Sequence, residues 1–120
     1  MIKITTHKVF KLFTEENPNI IQALFSFEIR DDFIWLSKIE RANFRSVKIY
    51  ASIVETIVAF ACHKSFELGF EGYVSFDAKT KLIPYYVSIL GAIKVGQSQR
   101  MYVNTASAQS LVNLVYEENN

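Results

Sequence analysis

Ser52-Ile53-Val54-Glu55-Thr56-Ile57-Val58-Ala59-Phe60-Ala61-Cys62-His63-Lys64-Ser65-Phe66-Glu67-Leu68-Gly69 is the stretch on which the fold turns. Ile53, Val54, Ile57, Val58, Phe60, Ala61, Cys62 and Phe66 recur at the intervals that gather apolar side chains on one side of a helix. Ser52 and Glu55 have the spacing of a capping box, with Ser52 as N-cap and Glu55 at the third helical position. Gly69 is a natural stop, because a glycine adopts the left-handed conformation at low cost. The pattern predicts a helix from about Ile53 to Leu68, its wide apolar face laid on a sheet.

Upstream, Ile21, Ala23, Phe25, Phe27 and Ile29 alternate with polar residues, the period of a strand with one buried face. Arg30-Asp31-Asp32 reads as a turn, and Phe33 to Ala42 as a second strand, antiparallel to the first. Nearer the start, Met1 to Thr5 alternates weakly and is expected as a strand. Val9, Phe10, Leu12 and Phe13 suggest a short helix from Lys8 to Glu15, broken by Asn17-Pro18-Asn19. Downstream, Tyr73 to Phe76 reads as a strand. Leu82 to Leu90 reads as a helix with Pro84 in its first turn and Gly91 at its end. Ala92 to Val95 and Met101 to Val103 read as strands joined near Gln97-Ser98. A closing helix carries Ala108, Leu111, Val112, Val115 and Tyr116, with Thr105 as its cap. Strands and helices mixed in this way describe one α/β (α+β) domain over residues 1–120, a mixed central sheet with helices on both faces.

The totals narrow the classes of function. Half of the 120 residues are hydrophobic and 21% are charged, which suits a packed domain and not a disordered tail. Thirteen basic residues face twelve acidic ones, so no field of one sign points to nucleic acid. The single cysteine, Cys62, forms no internal disulfide, in keeping with a reducing compartment. The N-terminus lacks the apolar core of a signal peptide, and the run Ile57 to Cys62 is too short to span a bilayer. A cytoplasmic protein bound to neither membrane nor nucleic acid is expected.

Three segments carry a resemblance to a known family. The first is Ala59-Phe60-Ala61-Cys62-His63-Lys64-Ser65-Phe66-Glu67-Leu68-Gly69-Phe70-Glu71-Gly72-Tyr73-Val74-Ser75-Phe76. The second is Lys79-Thr80-Lys81-Leu82-Ile83-Pro84-Tyr85-Tyr86, followed by Leu90-Gly91-Ala92 and Arg100-Met101. The third is the strand Asp32-Phe33-Ile34-Trp35-Leu36-Ser37-Lys38-Ile39-Glu40. In this order and spacing they resemble a bacterial subgroup of the GNAT superfamily, the Gcn5-related N-acetyltransferases, over about Asp32 to Tyr116. The part before Asp32 has no match and looks shortened. The resemblance implies a GNAT-like acyl-CoA N-acyltransferase fold and transfer of acetyl from acetyl-CoA to an amine. It also implies that the strands before and after the long helix splay apart to admit the pantetheine arm, with Ile39 on the bordering strand. A turn at the start of that helix holds the pyrophosphate on backbone N–H groups. In this chain the turn corresponds to Ser52, Ile53, Val54 and Glu55, and it departs from the family pattern. Ile49 stands where Gln or Arg is usual, Ser52 stands where Gly is usual and Val54 where Gly or Ala is, and Glu55 replaces a further glycine. A capping-box carboxylate there would compete with a diphosphate, an effect that Lys48 offsets only in part.

By the same resemblance Glu40 is the candidate general base and Tyr86 the candidate acid that protonates the leaving thiolate. The alternatives are a solvated or ion-paired Glu40 and a rim tyrosine at Tyr86. Tyr85 matches a variable position, often His. Cys62 reads as a buried structural thiol, and His63 with Glu67 as a surface pair. With His7 the one other histidine, no metal site is expected. Phe25, Phe27, Phe33 and Trp35 read as core, or alternatively as a homodimer interface. Two functions therefore stand side by side: an acetyltransferase with acetyl-CoA and an amine as its partners, and a degenerate GNAT-like module for binding or dimerisation.

Overall fold

The long helix α1 runs over Val47–Glu67, 21 residues, and so starts five residues before the expected Ser52 cap. The apolar spacing continues backward through Ile49, one helical turn ahead of Ile53, and nothing in Val47-Lys48-Ile49-Tyr50-Ala51 breaks a helix. Its end is as expected. Gly69 adopts φ +82°, while the Gly69 N–H donates to Phe66 O and the Phe70 N–H to Ser65 O at 3.1 and 2.8 Å, a Schellman closure. The structure, a computed structural model, describes the backbone of residues 7–13, 21–41 and 47–117, and the side chains of 25–37 and 53–116.

Among the described residues six strands form one sheet, in the order β1-β2-β3-β4-β6-β5. They are β1 (His7–Phe13), β2 (Ile21–Ile29), β3 (Ile34–Arg41), β4 (Val74–Asp77), β5 (Ile93–Lys94) and β6 (Arg100–Val103). All neighbours are antiparallel except β3 and β4, which α1 connects as a parallel pair. The sheet is therefore mixed, as expected. The helix expected over Lys8 to Glu15 is instead the strand β1, with Phe10 opposite Phe25 and Lys8 opposite Phe27. So short an apolar run fits either period, and the exposed edge of β2 decides by offering a full row of hydrogen-bond partners. The strand expected at Met1 to Thr5 lies outside the described residues.

Helix α2 (Ile83–Leu90) follows a 3₁₀ turn at Thr80–Leu82, carries Pro84 in its first turn and ends at Gly91 with φ 65°. Helix α3 (Thr105–Val112) continues into a π-helical turn over Asn113–Glu117. Its cap is Asn104 and not Thr105: the Asn104 Oδ1 accepts from the Ser107 N–H at 3.0 Å. The Thr105 hydroxyl donates instead to Glu71 O at 2.7 Å, tying α3 to the loop that follows α1.

The core lies between α1 and one face of the sheet. Ile57, Val58, Ala61 and Cys62 are fully buried against a layer that includes Phe27, Ile34, Val74 and Met101. Phe60 of α1 meets the Phe25 ring edge-on at 5.7 Å. Both α2 and α3 touch α1 on this same face. Helices on both faces were expected, whereas all three described helices share one. The connections β3-α1-β4 and β4-α2-β5 run the same way across the sheet, and right-handed crossovers in one direction land on one face. The opposite face, bearing Trp35, Tyr73, Ser75 and Tyr102, meets no described helix. Among the described residues no helix is long and apolar enough to cross a membrane.

Candidate functional site

Strands β3 and β4 pair at only two positions, Ile34 with Val74 and Trp35 with Ser75. Beyond Trp35, β3 continues for six residues to Arg41 and β4 for two to Asp77, with no pairing between them. A gap therefore opens in the middle of the sheet toward the C-terminal ends of both strands. Backbone groups along such a gap lack a partner strand on that side.

A bulge sits where the gap begins. On β2, the adjacent residues Ser26 and Phe27 pair with Lys38 and Leu36, which leaves Ser37 of β3 as the extra residue. The two serine hydroxyls lie 3.0 Å apart, and the Ser37 hydroxyl donates to the Ser26 carbonyl at 3.2 Å. The bulge lies two residues beyond Trp35, the last β3 residue paired with β4. Sequence reading missed Ser37; the only trace of it is a polar residue in a strand otherwise rich in apolar ones.

On the helix face, Tyr86 of α2 stands against the β4 side of the gap. Its ring meets Phe76 edge-on, with centroids 5.5 Å apart and planes at 78°. The Tyr85 ring lies 5.6 Å from that of Tyr86, so the two tyrosines form one aromatic cluster. Along β3, Ile39 is opposite Phe25 and Glu40 opposite Leu24, both in the unpaired stretch that borders the gap. The backbone thus brings Ile39, Glu40 and the Tyr86 helix around one opening.

The Ser52-Ile53-Val54-Glu55 turn is not part of it. All four residues lie inside α1, at or beyond its sixth position, where backbone N–H groups are already bonded to the preceding turn. Ile53 and Val54 are buried in the core, at 8% and 1% exposure, and cannot face a phosphate. The N–H groups without an intrahelical partner include those of Val47, Lys48 and Ile49. This end of α1 follows the C-terminal end of β3, toward which the gap opens, and its first turn contains no acidic residue.

Cys62 is buried without a role here, and burial pushes its thiol up to about 12. His63 forms the expected surface pair, with Nδ1 2.9 Å from the Glu67 carboxylate, and its ring also stacks on Tyr116 at 4.7 Å. Among the described residues no three His, Cys, Asp or Glu side chains are grouped to hold a metal ion. On the helix-free face, a cleft of about 350 Å³ is lined by Asp32, Phe33, Tyr73, Ser75, Arg100 and Tyr102.

No family model matches the sequence, and no curated protein matches it either. Solved structures do match. The KacTA–DNA complex aligns at TM-score 0.58 and 12% identity, over 76% of this chain and 63% of that one. AtaTR bound with AcCoA aligns at TM-score 0.56 and 14% identity, over 76% and 62%. Tetrahymena GCN5 aligns at TM-score 0.53 and 12% identity, over 81% and 67%. The chain thus spans less than two thirds of the first two. The first of the three is a complex with DNA, so the even charge balance does not by itself set nucleic acid aside for a protein of this fold. Identities this low speak for architecture alone, and what they establish is that this chain has the GNAT fold.

Proposed function

We propose that the chain binds acetyl-CoA in the gap between β3 and β4 and transfers the acetyl group to an amine. The observation that carries this reading is the parting of the two parallel strands after Trp35 and Ser75 beside the Ser37 bulge. A pantetheine arm is a chain of amides that can complete the unpaired backbone of β3 around Ile39. The diphosphate is assigned to the N-terminal turn of α1 at Val47-Lys48-Ile49-Tyr50, where free N–H groups and the helix dipole favour an anion. Glu55 lies two turns farther on and does not oppose it. AtaTR, which shares the fold, is described as bound with AcCoA, and this supports the choice of cofactor.

In the proposed reaction the amine loses a proton to Glu40, directly or through water, and its nitrogen attacks the thioester carbonyl. The carbon–sulfur bond breaks, and the departing thiolate takes a proton from the Tyr86 hydroxyl. Both assignments rest on placement beside the gap: Glu40 on its β3 border and Tyr86 over Phe76 on its β4 border.

Calorimetric titration with acetyl-CoA, paired with a thermal melt, tests the reading. Binding stabilises the fold by roughly 2.7 kcal/mol at about a hundred times the dissociation constant. Saturable heat with a raised melting temperature is expected. Neither heat nor shift at millimolar ligand would leave the chain as a GNAT-like module without its cofactor.

A further inference from the structure

The cleft on the helix-free face has a carboxylate at one end, a guanidinium at the other and aromatic walls between. Among the described residues that line it, Asp32, exposed in the β2–β3 turn, is the acidic one and Arg100 of β6 the basic one. The Tyr73 and Tyr102 rings lie at 25° to one another with centroids 6.3 Å apart, and Tyr73 is 37% exposed. Between them the floor is Ser75, whose hydroxyl is committed to Met101 O at 2.8 Å. The middle of the cleft therefore favours an apolar or aromatic body, and the polar contacts are concentrated at the ends.

Arg100 is held ready for an anion. Its guanidinium lies 4.8 Å above the Trp35 ring, which orients the planar group. Its ion pair with Asp77 is long at 3.8 Å, and both side chains are more than half exposed, 55% and 60%. So exposed a pair is weak and gives way to a better-placed carboxylate. Asp32 lies in the turn two residues before the Ile34–Val74 row, and Arg100 lies three rows beyond that row and two strands across, so their backbones are roughly 15–20 Å apart at about 3.3 Å per residue and about 4.8 Å per strand. The reach of the two side chains shortens this to about the length of two or three extended residues.

We infer that this cleft binds a short free peptide of two or three residues with a bulky apolar side chain, its ammonium at Asp32 and its carboxylate at Arg100. The inference does not depend on acetyl transfer, since it rests on the cleft and its two charged ends alone.

Trp35 is the only tryptophan in the chain and lies beneath Arg100, so its fluorescence reports occupancy. The probe is the free tripeptide glycyl-phenylalanyl-glycine, titrated into the full chain alongside its N-acetylated and its C-amidated forms. A saturable change in Trp35 emission is expected with the free peptide. Each blocked form should bind at least about tenfold more weakly, a loss of about 1.4 kcal/mol. Asp32→Asn should erase the difference between the free and N-acetylated peptides, and Arg100→Gln, followed by calorimetry, that between the free and amidated ones. No saturable response up to about 10 mM, a range that reaches beyond millimolar affinity, would overturn the inference. Equal binding of the blocked forms, or sensitivity at one end only, would overturn it as well. The blocked peptides test it on the unaltered protein, whatever the variants do to folding.

Discussion

The Ser37 hydroxyl donates to the Ser26 carbonyl at 3.2 Å and lies 3.0 Å from the Ser26 hydroxyl, which closes the β2 side of the bulge at the mouth of the β3–β4 gap. Removing it with Ser37→Ala should cost about 1 kcal/mol of stability, the net value of one hydrogen bond, read from denaturant unfolding. If the bulge shapes the cofactor gap, the dissociation constant for acetyl-CoA should also rise about fivefold, or about 1 kcal/mol, by calorimetry. A loss of stability with unchanged affinity would make the serine pair a matter of folding only.

Tyr86→Phe keeps the ring that meets Phe76 edge-on and removes only the hydroxyl. As the acid of the proposed reaction, its loss should lower kcat about a hundredfold with little change in acetyl-CoA affinity. Turnover can be followed by release of free CoA thiol. Unaltered turnover would reduce Tyr86 to a packing residue.

Glu55 is a test of where α1 begins. Inside a helix that starts at Val47, Glu55→Gly should destabilise the fold by about 1 kcal/mol through loss of helix propensity. It should leave acetyl-CoA affinity unchanged. A marked gain in affinity would place Glu55 near the diphosphate and the effective start of the helix near Ser52.

Gly72 has φ +84°, and an added Cβ would stand 2.7 Å from the Ala108 Cβ and 2.7 Å from the Phe66 ring. Here α1, α3 and the loop between α1 and β4 press together. Gly72→Ala should therefore cost about 2–4 kcal/mol, through both the positive φ and the overpacking. A melting temperature within a degree or so of the parent would mean that α3 yields at this contact.

Cys62 titrates upward on folding, from 9.0 to about 12. The native state keeps its proton where the unfolded chain has lost it, so stability should be full below about pH 9 and decline as pH rises toward about 12. The stability advantage of the parent over Cys62→Ala should fall steadily as pH rises from about 8 to about 11. An aromatic disulfide reagent at neutral pH should react with Cys62 only after unfolding; rapid reaction in the native state would contradict its burial.

Much of the architecture was legible in the residues themselves. The alternation from Ile21 to Ile29, the apolar spacing from Ile53 to Phe66 and the stops at Gly69 and Gly91 are local signals, carried by side-chain period and backbone preference. They located β2, β3, α2, the end of α1 and the β5–β6 pair before any contact was known. The ambiguous segments were those whose neighbours decide. Lys8 to Phe13 fits a helix or a strand and became β1 because β2 offered it an edge. Ser52 and Glu55 formed a credible cap until the preceding turn joined α1. Thr105 and Asn104 compete for the same role, and the loop at Glu71 drew the threonine away.

The site divides in the same way. The family resemblance named Ile39 and Glu40 on one strand and Tyr86 on a helix as candidates, and their roles remain part of the proposal. Sequence alone determined the even charge balance that leaves binding to local geometry. Only the tertiary structure decided that β3 and β4 part after Trp35 and Ser75, that Ser37 is the bulged residue, and that Asp32 and Arg100 face one cleft. Strand pairing is a contact between residues far apart in the chain, so the point where it ends depends on register and twist across the sheet, quantities that no single segment encodes.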